Sequence, residues 1–303
     1  MPLILGTRGS PLALAQAHMT AAAIEAAQGW AAGTVAIRIV KTTGDVVQDR
    51  PLAEIGGKAM WTRELDEVLL AGETHASVHS MKDVESERPD ALCIAATLPR
   101  ADVRDRLIGA ESITALRQGA VVGTSSPRRG AQLLAVRPDL TIVTIRGNVD
   151  TRLAKLAAGE CDATLLAAAG LDRLGKSGIG AAIDNMLSAP AQGAIGIECR
   201  ADDTQARTIL ATINDCATFD AVRAERAFTR ALGGTCHSPV AALATIAADG
   251  SVVLRAQILS EDGADQIGDE ARFAAGDDAT PAALARAMLA RAPTTIQRLF
   301  DAA

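Results

Sequence analysis

The chain has 303 residues, of which 49% are hydrophobic, 22% charged and 2% aromatic, with no tyrosine. This balance excludes a disordered or collagen-like protein, and the length allows about two or three domains with cores of their own. A formal charge of −6 argues against a basic coat for nucleic acid, and no uninterrupted apolar run of about 18 residues is present to span a membrane.

The first elements read as strand, tight loop and helix. Leu3–Leu5 is apolar, GTRGSP is a turn, and a helix starts at Pro11, where the missing proline N–H costs nothing. VAIRIV (35–40) is the next strand. Residues 43–58, rich in Gly, Pro and charge, read as a long loop. WTRELDEVLLAGE is helical, residues 76–83 form a short strand with a polar end, and 91–96 form another strand. The charged run PRADVRDRL (99–107) reads as a crossover. The same pattern then repeats: strand 121–123, loop TSSPRR, helix GAQLLAVR, strand 140–145, loop RGNVD, helix TRLAKLAAGE and strand 162–169. Strands alternating with helices predict parallel, doubly wound α/β sheets. Residues 189–199 read as a linker and a buried strand that returns to the first unit.

The last part changes character. FDAVRAERAFTRAL is a helix ended by Gly233 and Gly234. β-rich runs follow, punctuated by Asp249-Gly250 and Asp262-Gly263, a hairpin signal. A helix interrupted by proline closes the chain. The expected domains are 1–98 with 190–213 (discontinuous α/β), 99–189 (α/β) and 214–303 (small α+β).

The informative chemical pattern is the placement of arginine. Arg8, Arg128, Arg129 and Arg146 sit in strand-to-helix loops beside Gly, Ser or Thr, and Arg152 opens a helix. Helix N-termini present free N–H groups and partial positive charge, so added guanidinium and hydroxyl donors make each loop an anion site. In doubly wound sheets such loops gather outside the carboxyl ends of the strands. Several sites of this kind predict a ligand with many carboxylates or phosphates. Lys82-Asp83 at the end of HSMKD adds a cation and a carboxylate suited to proton transfer or cation stabilisation.

Five scattered cysteines (93, 161, 199, 216, 236) without CxxC argue against a disulfide framework or cysteine zinc site and for a reducing, cytoplasmic setting. MPLILGTRGS lacks the regions of an export signal. Cys236, in the glycine-rich GGTCHSP loop, is the candidate for covalent chemistry; the others sit in apolar contexts where inert thiols are the default. GLDRLGKS (170–177) formally matches the nucleotide-binding GxxxxGK[ST] pattern, but Leu171 and Leu174 read as packing residues and GIG is a poor helix start. His75 and His79 lack the Glu of HExxH and read as structural, so no metal is expected.

In order, TRGSPLALAQA, KTTGD, GGKAMWTREL, HSMKD, VGTSSPRRGAQL, IRGNVDTRL, AAAGLDRLG, PAQGAIGIEC, AERAF and GGTCHSP resemble the porphobilinogen deaminase (hydroxymethylbilane synthase) family over nearly the whole chain. The resemblance implies two α/β domains like those of periplasmic binding proteins, an active site between them, and a third domain carrying a cofactor cysteine. It implies a cytoplasmic, monomeric transferase with porphobilinogen as substrate. Four substrate molecules are joined head to tail with loss of ammonia on a dipyrromethane primer, and hydrolysis releases the linear tetrapyrrole. Cys236 is then the thioether attachment point and Asp83 the catalytic carboxylate. Lys82, Arg128, Arg129, Thr124, Ser125 and Ser126 are expected to bind the cofactor. Arg8, Ser10, Gln16, Arg146, Arg152, Arg173 and Gln192 are expected to bind substrate or growing chain, with Lys58 reaching from a lid at 43–58. The sequence departs from the family at Trp61 (usually Phe), Glu85 (commonly Pro), Gly233 (frequently acidic) and Pro127. A binding module built from the α/β units and a P-loop nucleotide enzyme are the alternatives.

Overall fold

The computed structural model describes residues 3–42, 62–234 and 238–300. The loop 43–58, Lys58, Trp61 and Cys236 therefore lie outside the described residues. Two compact units are present: Met1–Ala101 with Gly193–Phe219, and Asp102–Gln192 with Asp220–Ala303.

The first unit is built on a five-stranded sheet. Strand β1 (Ile4–Arg8) runs into helix α1 (Pro11–Gln28), which Pro11 opens, the Ser10 hydroxyl caps and left-handed Gly29 ends. Then come β2 (Ala36–Val40), α2 (Arg63–Leu70), β3 (Ala76–Ser80) with a 3-10 turn at Met81–Asp83, and β4 (Leu92–Thr97). The returning strand Ile195–Arg200 (β10 in chain order) inserts between β3 and β4, giving the order β2-β1-β3-β10-β4. It runs antiparallel to both neighbours, so the sheet is mixed rather than parallel throughout. Leu5, Ala17, Ile24, Val78 and Ile197 form its core with Leu210 of a later helix.

The second unit holds β5 (Asp105–Ile108), β6 (Val121–Gly123), α3 (Pro127–Val136), β7 (Thr141–Val143), α4 (Val149–Ala157), β8 (Ala163–Ala167), α5 (Ala168–Arg173) and β9 (Ala181–Ile183), in the sheet order β7-β6-β8-β5-β9. Strand β5 falls inside the run expected to be a crossover, and it pairs antiparallel with β8 and β9. Its alternation places Asp105 and Leu107 inward and Arg106 and Ile108 outward; charge on both sides of Asp105 hid that period. After β10 come α6 (Thr204–Ala211) and α7 (Cys216–Leu232). Gly233 stands at φ 70, a left-handed stop that glycine adopts without strain, which accounts for glycine at this departure from the family pattern.

Strands β11 (Val240–Ile246), β12 (Val252–Leu259) and β13 (Gln266–Phe273) form an antiparallel meander whose turns hold Asp249-Gly250 and Asp262-Gly263. Helices α8 (Ala279–Ala290) and α9 (Thr294–Gln297) and α7 cover it around Phe228, Leu254, Ile258, Met288 and Phe300. This meander docks on α3. Gly263, at φ 71, sits so close that an added Cβ would lie 2.3 Å from the Ala131 carbonyl oxygen, and Gln132 Nε2 donates to Gln257 Oε1 at 2.8 Å. Among the described residues no helix is long and apolar enough to cross a membrane, and no cluster of side chains suited to a metal ion is present.

Candidate functional site

Each α/β sheet has a point where the strand order reverses: between β1 and β3 in the first, and between β6 and β8 in the second. The carboxyl ends of these strands are the ligand-binding edge of such folds. Arg8 ends β1, and Lys82 and Asp83 follow β3 directly. Thr124–Ser126 follow β6, and Arg128 and Arg129 lie in the first turn of α3. Arg146 precedes α4, Arg152 lies in its first turn and Arg173 ends α5. Arg8, Lys82, Asp83, Thr124–Ser126, Arg128 and Arg129 thus follow the carboxyl ends of strands within their own units, whereas Gln16 lies within α1 and Arg173 at the far end of α5.

In the first unit the turn bearing Lys82 and Asp83 is fixed by packing. Met81 is buried, and its N–H donates to the Ala194 carbonyl at 3.1 Å. Its sulfur lies where a side chain at Gly196 would be: a Cβ there would approach Met81 Sδ to 2.0 Å. Asp83 is half-buried. Buried Gln16 exchanges hydrogen bonds with the Ser80 hydroxyl, at 2.8 and 3.1 Å. Ser10 accepts from Ala13 N at 3.3 Å and thereby shapes the loop after Arg8.

The second unit contains a buried charge cluster that sequence reasoning found only in part. Asp105 Oδ2 accepts from Arg128 Nη2 at 2.7 Å, and its Oδ1 accepts from Arg129 Nη2 at 2.6 Å and from Gln192 Nε2 at 2.9 Å. All four side chains are buried. Burial alone would push Asp105 up, but Arg128 and Arg129 outweigh it and hold the carboxyl far below its usual range. Burial pulls Arg128 down, opposed by Asp105 and assisted by Arg129. Carbonyl oxygens complete the fork: Arg128 donates to Leu187 and Arg129 to Leu165. Nε of Arg128 and Nε of Arg129 remain buried without a hydrogen-bond partner among the described residues. Two guanidinium groups thus share one carboxylate, which leaves an excess of positive charge in the first turn of α3, an arrangement fitted to further carboxylates.

The hydroxyls of the same loop shape it internally. Ser126 caps α3 through Arg129 N, Ser125 donates to the Ile145 carbonyl at 2.5 Å, and Thr124 Oγ1 accepts from Ser126 N at 3.1 Å. Pro127 occupies the first turn of α3, where proline is favoured. Arg152 Nε donates to the Gly147 carbonyl at 2.9 Å. Burial lowers Arg173 to about 10, with Asp172 opposing. The residues missed in sequence are Asp105 and Gln132, whose Oε1 accepts from Arg128 at 3.0 Å; the inward alternation of Asp105 with Leu107 was the available signal.

The decoys resolve as structure. Residues 170–173 of the P-loop-like motif lie within α5, and Lys176 pairs with Asp150 at 3.1 Å. His75 Nδ1 accepts from Ile4 N at 3.0 Å. His79 lies buried 3.3 Å from Glu198, which also takes a two-pronged bond from Arg88, Nε and Nη2 both at 2.8 Å. Glu85, at another family departure, accepts from Thr62 Oγ1 at 3.3 Å.

Two family descriptions match the sequence: "Porphobilinogen deaminase, dipyromethane cofactor binding domain" over residues 3–208 and "Porphobilinogen deaminase, C-terminal domain" over 219–290. Porphobilinogen deaminase of Sphingopyxis alaskensis is 55% identical, with 99% of this chain and 96% of that protein covered. That of Paracoccus denitrificans is 50% identical, with 96% and 95% covered. Among solved structures, the methionine binding protein MetQ is similar over 73% of this chain and 91% of its own, with a TM-score of 0.44 at 11% identity.

Proposed function

The chain belongs to the porphobilinogen deaminase family, and from that premise we propose how its residues divide the work. It is a transferase of tetrapyrrole biosynthesis that joins four porphobilinogen molecules head to tail with loss of ammonia. It does so on a covalently bound dipyrromethane and releases hydroxymethylbilane by hydrolysis. When bound, the dipyrromethane supplies the pyrrole carbon to which the first substrate is joined.

The observation that supports the assignment of residues is the excess of positive charge where Arg128 and Arg129 share the single carboxylate of Asp105 in the first turn of α3. Every pyrrole of the cofactor brings an acetate and a propionate, and ionised carboxylates need charged donors to be held in a cleft. We assign Arg128, Arg129 and Lys82 to the cofactor's carboxylates, in a loop shaped by Thr124, Ser125 and Ser126. Asp105 spaces the two guanidinium groups and Gln192 orients Asp105. Arg8, Arg146, Arg152 and Arg173 are assigned to the carboxylates of substrate and growing chain, with Ser10 and Gln16 shaping the first of these loops. Each charge-assisted bond adds about 1.5–3 kcal/mol. Cys236 is assigned as the thioether attachment point and Lys58 as a contact from the 43–58 loop; both lie outside the described residues.

Asp83 is assigned as the catalytic carboxylate. It stabilises positive charge developing on the pyrrole nitrogen and takes part in proton movement as the aminomethyl group departs. An ionised carboxylate there favours that cation over the neutral ground state. The three-part division at 1–98 with 190–213, 99–189 and 214–303, a monomeric state and a cytoplasmic setting belong to the same proposal. The test is turnover of porphobilinogen, read as ammonia and linear tetrapyrrole. Asp83→Asn should nearly abolish both while circular dichroism stays unchanged. Substantial remaining turnover would remove Asp83 from this role.

A further inference from the structure

A second pair of side chains, in the first unit and separate from the residues assigned above, is arranged for different chemistry. Cys93 on β4 and Cys199 on β10 face each other as direct cross-strand partners, with their sulfurs 3.8 Å apart. Directly opposed residues of antiparallel strands have Cα atoms about 4.5–5.5 Å apart, within the span a disulfide accepts. Only the sulfurs need to close, to about 2.05 Å.

The two thiols differ in access. Cys199 is wholly buried, whereas Cys93 is half-exposed and lines a cavity of about 510 Å³ with Thr204, Arg207, Thr208 and Phe219. A small reagent can thus reach one sulfur and not the other. The hydrogen bond from Cys199 holds the Cys93 thiol below its ordinary range; burial opposes this, the positive charge of Arg207 assists and Glu198 opposes it weakly. The same hydrogen bond, with burial, pushes Cys199 up. An accessible thiolate beside a protonated, sheltered thiol is the division of labour of an attacking and a resolving cysteine.

We propose that Cys93 and Cys199 form a reversible dithiol oxidised by small hydroperoxides that enter the cavity beside Arg207. The Cys93 thiolate attacks the terminal peroxide oxygen and the O–O bond breaks. Cys93 becomes a sulfenic acid, and the alkoxide or hydroxide leaves and takes a proton from water. The Cys199 sulfur then attacks the Cys93 sulfur, the S–O bond breaks, and hydroxide departs with the Cys199 thiol proton as water. Two electrons pass from the two thiols to the hydroperoxide, which ends as an alcohol (or water) and a water molecule. The product joins β4 to β10 across the sheet. Such bonds in reducing compartments are transient and serve sensing, so a thiol reductant restores the pair.

The test uses the holoenzyme treated with a few-fold excess of hydrogen peroxide, alkylated and mapped by peptide mass. A peptide linking Cys93 to Cys199 is expected, lighter by two hydrogens than its parts and reversed by dithiothreitol. In Cys199→Ser, a dimedone-trapped sulfenic acid should accumulate on Cys93. In Cys93→Ser, Cys199 should remain an unmodified thiol. If Cys93 and Cys199 both stay alkylatable while exposed Cys216 oxidises, the proposal fails. A linkage of Cys93 to any other cysteine would equally overturn it.

Discussion

Arg128 and Asp105 meet at 2.7 Å with both side chains withdrawn from solvent, and Arg129 closes on the other oxygen of the same carboxylate. The pairing joins the first turn of α3 to the first residue of β5. Buried like charges repel strongly at low dielectric, so two neighbouring guanidinium groups need this carboxylate to stand side by side. Asp105→Asn removes it at nearly constant volume. Breaking a buried pair from one side costs about 3–5 kcal/mol. A loss of that size is expected in urea unfolding of the variant. A change below about 1 kcal/mol would show that Asp105 does not hold the cluster together.

Gly196→Ala tests the seat of the turn that carries Asp83. The added methyl would meet Met81 Sδ at 2.0 Å, and because Met81 is buried the shift it must make is expected to pass to its neighbours Lys82 and Asp83. Displacement of a catalytic group by about 1 Å can cost about 100-fold in rate. The variant should therefore fold, lose about 10- to 100-fold in kcat and change less in KM. An unchanged kcat would mean that the position of Asp83 is not set by this contact.

Much of the plan is visible in the sequence because local rules and tertiary structure agree. Proline at the start of α1, Asp-Gly at both meander turns and Gly233 after α7 each mark an element boundary that the structure keeps, whereas α3 begins at Pro127, three residues before the helix expected from Gly130. Strand β5 shows the opposite case. Its Arg-Asp-Arg run reads as part of a charged crossover, yet Asp105 is buried by partners 23 and 24 residues away along the chain. No local rule anticipates that pairing, nor the insertion of β10 between β3 and β4 in the reverse direction. Ala191, at φ 59 beside Gln192, is likewise held by a distant group: its N–H donates to buried Glu225 at 2.5 Å.

Glu198 gives a pH dependence with a definite sign. Burial would raise its carboxyl, but the hydrogen bonds and charges of His79 and Arg88 lower it to about 2 from an ordinary 4.5. A depressed folded-state value stabilises the protein above the ordinary value, and that contribution is lost as pH falls from about 4.5 to about 2. Glu198→Gln should cost about 1.5–3 kcal/mol near neutrality, because Arg88 loses its two-pronged charged acceptor and keeps Asp66 and Glu85. The gap between parent and variant should narrow across that acid window. A gap independent of pH there would contradict the charged state of Glu198.

The intact mass of the purified protein, from cells able to make porphobilinogen, bears most directly on a carboxylate cradle serving a tethered primer. The expected mass exceeds that of the chain by two porphobilinogen units less the ammonia lost. This excess should vanish in Cys236→Ser and fall sharply in a folded Arg128→Leu. An unmodified parent mass, or a full adduct in either variant, would contradict it.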